Sequence, residues 1–159
     1  MSDDEIDEVG VDALTTIVEP IPAVWKDYIT HMCNQSREIE RAMICSNVNG
    51  AVWARTEKRR LFEATEAELA KLAEQMEDTS QIPQVGVDLE ELHYVVTRVE
   101  ENFMFGKSMN YRRQTGRAIC AMRTSRTIII VIYRSTFDID GDIREIVSKL
   151  AQHFEQNAF

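Results

Sequence analysis

In WKDYITHM, residues 25–32, the apolar positions are Trp25, Tyr28, Ile29 and Met32. Spacing of i, i+3, i+4 and i+7 is one face of a helix. It predicts a first helix over about 23–35, with Arg37–Glu40 as its exit. Two strand-like runs follow, AMICS (42–46) and AVWART (51–56), split by Asn47-Val48-Asn49-Gly50. Asn-Gly between such runs predicts a hairpin, because both residues tolerate positive φ. Arg59–Phe62 reads as extended. Thr65 to Glu68 has capping-box spacing at the head of TEAELAKLAEQM, with Leu69, Leu72, Ala73 and Met76 as the buried face. Five strand-like segments come next: QVGVDL (84–89), LHYVVTRV (92–99), FMFGK (103–107), RAICAMR (117–123) and TIIIVIY (127–133). Thr124-Ser125 is the last expected hairpin turn, and Ser108–Gly116 the long loop before it. The chain closes on DIREIVSKLAQHFEQ, where Ile143, Ile146, Val147, Leu150 and Phe154 form a helical stripe. Helix, hairpin, helix, a run of antiparallel strands and a final helix make the class α+β.

Charge changes the picture at the N-terminus. Residues 1–22 carry seven acids and no Lys or Arg, leaving 20 acids against 18 bases in the rest of a chain of net charge −9. The head therefore reads as an acidic, solvated extension ending in Glu19-Pro20-Ile21-Pro22, with a short turn of helix at VDALTTIV (11–18). Residues 23–159 read as a single, nearly neutral, monomeric domain. That balance argues against nucleic-acid binding, which needs a basic footprint. No apolar stretch approaches the roughly 20 residues that span a bilayer, and the head lacks the pattern of a secretory signal. A cytoplasmic protein is expected, and Cys33, Cys45 and Cys120, widely spaced, read as reduced buried thiols.

Catalytic and metal signatures are missing. The histidines at 31, 93 and 153 have no i, i+4 pairing, and no phosphate-binding glycine loop or nucleophile elbow occurs. No cofactor is expected. Glu90-Glu91 and Glu100-Glu101 read as solvated turn charges. A cationic cluster, Tyr111–Arg117, offers Arg112, Arg113 and Arg117 as an anion-seeking loop.

Taken in order, several stretches resemble the profilin family: the Trp-x-x-Tyr helix, GAVWARTE (50–57), HYVVTRVEENFMFGK (93–107), TSRTIIIVIY (124–133) and KLAQHFEQNAF (149–159). The resemblance covers about 23–159. It implies a central antiparallel sheet with the terminal helices on one face and two other helices opposite. It also implies a groove for proline-rich ligands lined by Trp25, Tyr28, Trp53, His153, Phe154 and Phe159. A polyproline II helix is stiff before it binds, its rings stack on aromatic faces, and its carbonyls accept from indole, phenol or imidazole donors. Phe159 keeps the ring of the family's usual terminal tyrosine without its hydroxyl, an expected loss of about one hydrogen bond, ~1 kcal/mol.

The second implied partner is monomeric actin. Its face falls on Gln84, His93, Val95, Arg98 and Lys107, and on Gly141, Arg144, Glu145, Ser148 and Lys149 of the last helix, with Arg144 and Ser148 on the side away from the stripe. Phosphoinositides at Arg112, Arg113 and Arg117 are a weaker implication. Three departures bear on actin: Phe105 where arginine often precedes Gly-Lys, Lys149 where many members carry an acid, and a longer 108–116 loop. The expected function is regulation of actin filament assembly in the cytoplasm. The alternatives are a proline-rich-peptide adaptor with lost or weakened actin binding, and an enzyme with a dispersed site.

Overall fold

The computed structural model describes residues 21–108, 116–134 and 139–157. The helical turn expected at 11–18 lies outside them. β7 (Thr127–Arg134) is central, as its sequence requires, since a strand apolar at nearly every position needs cover on both faces. Residues 127–133 are all buried. On one side Ile129, Val131 and Tyr133 meet α1 (Ile21–Cys33) and α4 (Asp140–Gln156). On the other, Ile128, Ile130 and Ile132 meet α2 (Glu66–Glu77) and Ile82 of the short α3 (Ile82–Val85).

The other strands are β1 (Ile39–Ser46), β2 (Val52–Arg55), β3 (Val87–Leu89), β4 (Leu92–Glu100), β5 (Phe103–Ser108) and β6 (Arg117–Arg123). All pairs are antiparallel, in the order β2-β1-β7-β6-β5-β4-β3. The α+β architecture, with terminal helices on one face and the inner helices on the other, is the expected one.

Local signals place most elements. The capping box at α2 is complete: Glu68 N donates to Thr65 Oγ1 (3.1 Å) and Thr65 N to Glu68 Oε1 (2.9 Å). In the β1–β2 hairpin only Gly50 takes positive φ, at 77°. A Cβ there would lie 2.5 Å from the Leu69 carbonyl carbon, so α2 packs directly on the glycine backbone.

Four local expectations change. α1 begins at Ile21 and includes Pro22, because a proline in a first helical turn gives up an N–H that has no intrahelical acceptor. β1 starts at Ile39, inside the expected helix exit. Lys58–Arg60 forms a 3-10 turn instead of extended chain. Ile82–Val85 is helical, so the third strand begins only at Val87. Pro83 favours the first turn, and Gly86 at φ 71° stops it.

The turn between β3 and β4 departs furthest from expectation. Glu90 and Glu91 both lie at positive φ, 57° and 62°. Glu91 is exposed, but Glu90 is not a solvated charge. Its carboxylate accepts from Arg41 Nη2 (2.9 Å) and Glu63 N (2.8 Å). Glu68 accepts from both turn amides at 2.9 Å. Two carboxylates with long-range partners therefore hold a backbone shape that L-residues otherwise disfavour.

Candidate functional site

α1, β2 and the end of α4 bring five aromatic side chains into one cluster. Ring centroids lie 5.7 Å apart for Trp25–Tyr28, 5.0 Å for Trp25–Trp53 and 5.0 Å for Trp25–Phe154. Tyr28 lies 5.3 Å from His153 and 5.1 Å from Phe154. Helical spacing puts Trp25 and Tyr28 one turn apart, while the α1–α4 packing sets Phe154 between them. Trp25 is only 4% exposed and Phe154 fully buried, so they form the floor. Tyr28 and Trp53 are half-buried and His153 is exposed, so the accessible ring surface is theirs.

A hydrogen bond across 125 residues ties the rim together: Tyr28 Oη and His153 Nε2 are 2.9 Å apart. Asn157 Nδ2 lies 3.3 Å from His153 Nδ1 and donates to the His153 carbonyl at 2.8 Å. Burial, then the neighbouring Asp27 charge, pushes the Tyr28 phenol up. Beyond Tyr28 the seam between α1 and α4 opens into a cleft of about 570 Å³. Lys149 lines it beside Tyr28, His31 and His153, so this lysine faces the helix seam. Phe159 lies outside the described residues.

The second set gathers on the strip of sheet beside α4. Directly opposed residues in an antiparallel pair share a face. Val95 opposes Lys107, and Arg98 opposes Phe105, whose ring packs on the α4 side. A bulge between Val96 and Arg98 makes this possible, because without it Arg98 would point the other way from His93 and Val95. His93 contacts Asp88, its opposite number on β3, through Nδ1 at 2.8 Å. Gly141 and Glu145 are exposed on α4, whereas Gln84 is exposed on α3, whose Ile82 packs on the opposite face of the sheet.

Arg144 and Ser148 differ from expectation. Both are half-buried against the sheet. Arg144 stacks on Phe103 (4.4 Å to the ring centroid) and grips Glu100 at 2.6 and 3.2 Å. Glu100 also takes Arg98 at 3.0 Å. The bonds from Arg144 hold its carboxyl below the usual range. Glu100 is thus a shared anchor for two arginines, not a free turn charge. Ser148 Oγ sits 3.9 Å from Met122 Sδ. Phe105, the departure before Gly-Lys, is a core residue, 4.7 Å edge-to-face with Phe103.

Among the basic-loop residues, Arg112 and Arg113 lie outside the described residues. Arg117 opens β6 and donates to Glu40 Oε1 at 2.8 Å. Burial would raise the Glu40 carboxyl, but its bonds to Arg117 and Arg134, with the Arg41 charge, hold it low. No short-range pattern marks Glu40, Glu90 or Glu100, and for Glu68 the capping box announces only the bond to Thr65. Apart from Thr65, Arg98 and the adjacent Arg41, every partner that defines them comes from a distant element. All three thiols are buried, and burial pushes Cys45 up to about 12. Among the described residues no His, Cys, Asp and Glu cluster is arranged to hold a metal.

A family model described as Profilin matches residues 23–159. Profilin-2 of Caenorhabditis elegans is 37% identical over 135 residues, which cover 85% of this chain and 98% of that protein. Among solved structures, a Schizosaccharomyces pombe profilin superposes with a TM-score of 0.72 at 24% identity, covering 85% of this chain and 99% of that one. Mouse profilin IIa, solved with a double repeat from the FH1 domain of mDia1, gives 0.68 at 16% identity over 85% and 99%. At those identities the structural likeness speaks to the fold.

Proposed function

The chain belongs to the profilin family, whose members bind actin and regulate its polymerisation, and from that premise we propose that it joins an actin monomer to a proline-rich ligand on two separate faces. The observation that carries the proline-rich half is the convergence of Trp25, Tyr28, Trp53, His153 and Phe154 into one half-open cluster. Plain packing between two helices is satisfied by aliphatic side chains. Here the exposed edge is made of two rings and an imidazole, two of them bonded to each other through polar atoms. A polyproline II segment offers the complementary surface: flat pyrrolidine rings and carbonyls without internal partners. Phe159 is proposed to extend the groove. The solved mouse profilin IIa complex with FH1 repeats supports this ligand class.

Actin is proposed to sit on the α4-side strip, contacting His93, Val95, Arg98, Lys107, Gln84 and the first turns of α4. Arg144 contributes from a fixed position, held by Glu100 and Phe103. Lys149 faces the groove side of α4, which reduces its part in that contact. Such a protein works in the cytoplasm, delivering subunits held on one face to assembly factors held on the other. The phosphoinositide contact proposed for Arg112, Arg113 and Arg117 is weakened at one member, because Arg117 is already committed to Glu40.

Tryptophan fluorescence titrated with polyproline tests the groove, because Trp25 and Trp53 are the only indoles. A saturable change is expected in the wild type. Tyr28→Phe should weaken it about fivefold, the worth of one hydrogen bond at ~1 kcal/mol. No change in the wild type sinks the groove. Sequestration of monomeric actin, compared with Arg98→Glu, tests the other face. Undiminished sequestration by that variant would move actin elsewhere, and none by the wild type would leave a proline-rich-peptide adaptor.

A further inference from the structure

Six arginines converge on a cleft of about 610 Å³ that neither face uses. They are Arg37 before β1, Arg41 on β1, Arg59 and Arg60 on the 3-10 turn, Arg117 on β6 and Arg134 on β7. Among the described residues Glu40 is the one carboxylate in the lining, and it is shared among Arg117 (2.8 Å), Arg134 (3.3 Å) and Arg41 (3.6 Å). Arg41 also pairs with Glu90. Arg60 is pinned through its own fork to the carbonyls of Ile39 (2.7 Å) and Glu40 (3.0 Å). Arg37 and Arg59 stand exposed, and no ion pair among the described residues engages them. Six guanidiniums thus face one carboxylate in a concave site, with Glu90 reaching Arg41 from outside it.

The same chain carries the opposite charge. Its first 22 residues hold seven acids and no Lys or Arg, five of those acids within DDEIDE at 3–8. They lie before the family match begins at 23. We propose that this acidic head docks in the arginine cleft of its own domain. Arginine forks match carboxylates bidentately, and clustered positive charge in a concave site draws the complementary segment. The reach is sufficient. α1 spans 13 residues, so its first residue is about 20 Å from Cys33 at the cleft edge. The 12 residues between Glu8 and Ile21 extend up to roughly 40 Å. A tether of that kind gives an effective concentration on the order of millimolar, so weak contacts suffice.

The test keeps the full chain. A nitroxide on Ser2→Cys is read by relaxation of backbone amides, with the unmutated chain, whose thiols are buried, carried through the same labelling as control. Amides around Arg37, Arg59 and Arg60 should lose most of their signal at low salt. They should recover at about 0.5 M salt, where the screening length falls to roughly 4 Å. Recovery is also expected in Arg37→Glu/Arg59→Glu, which changes two exposed side chains, and when Asp3, Asp4, Glu5, Asp7 and Glu8 become amides. No signal loss, an even loss over the surface, or a loss centred elsewhere overturns the proposal. So does a loss at the cleft that survives either set of charge changes.

Discussion

Replacing Glu68 with alanine removes the acceptor of three backbone N–H groups at once. Its carboxylate takes N–H bonds from Thr65, Glu90 and Glu91, each at 2.9 Å. The first closes the capping box of α2, and losing a cap of this kind costs about 1 kcal/mol. The other two hold the turn that aims β4, and in a half-exposed site each is worth about 0.5 kcal/mol. The expected loss is about 2 kcal/mol, or about 4–8 °C in Tm for a chain of this size. Urea unfolding followed by circular dichroism measures it. The pH dependence separates this mechanism from a generic defect. Burial would raise the Glu68 carboxyl, but the bonds from Glu91, Thr65 and Glu90 outweigh it and hold the folded value below the ordinary 4.5. A depressed folded pKa contributes stability above the unfolded pKa and loses it as pH falls through the folded one. The gap between wild type and Glu68→Ala should therefore be constant near neutrality and shrink below about pH 4.5. A loss under about 0.5 kcal/mol, smaller than one of these bonds, or a gap that ignores pH, refutes the reasoning.

Neighbouring substitutions in the same turn should have opposite signs. Glu91→Gly relieves a left-handed residue with an exposed side chain and should stabilise by about 1 kcal/mol, whereas Glu90→Gly also strips the partners of Arg41 and Glu63 and should destabilise; equal shifts in urea midpoint would contradict this. Gly50→Ala puts a Cβ 2.5 Å from backbone of α2 at φ 77°. It should cost about 2–4 kcal/mol, combining left-handed strain and overpacking, and a thermal melt unchanged from wild type would show that α2 yields freely.

What the sequence settles by itself is short-range. Helical spacing in WKDYITHM, the Thr65–Glu68 box, the apolar run at 127–133 and the stripe of α4 each depend on neighbours within a few residues, and each yields its element. The resemblance across 23–159 likewise carries the family. The tertiary structure decides what those elements do together. Only the packing of α1 on α4 shows that Trp25 is floor while Tyr28 and His153 are rim. A single bulge in β4 puts Arg98 on the face of His93 and Val95, and no alternation pattern announces it. The adjacent acids Glu90 and Glu91 look alike in the chain. One is clasped by Arg41, 49 residues away, and the other is exposed. The reason is the range of the forces. Backbone periodicity and capping act along the chain, whereas the partner of a charge or a ring is chosen by the fold that brings distant segments into contact.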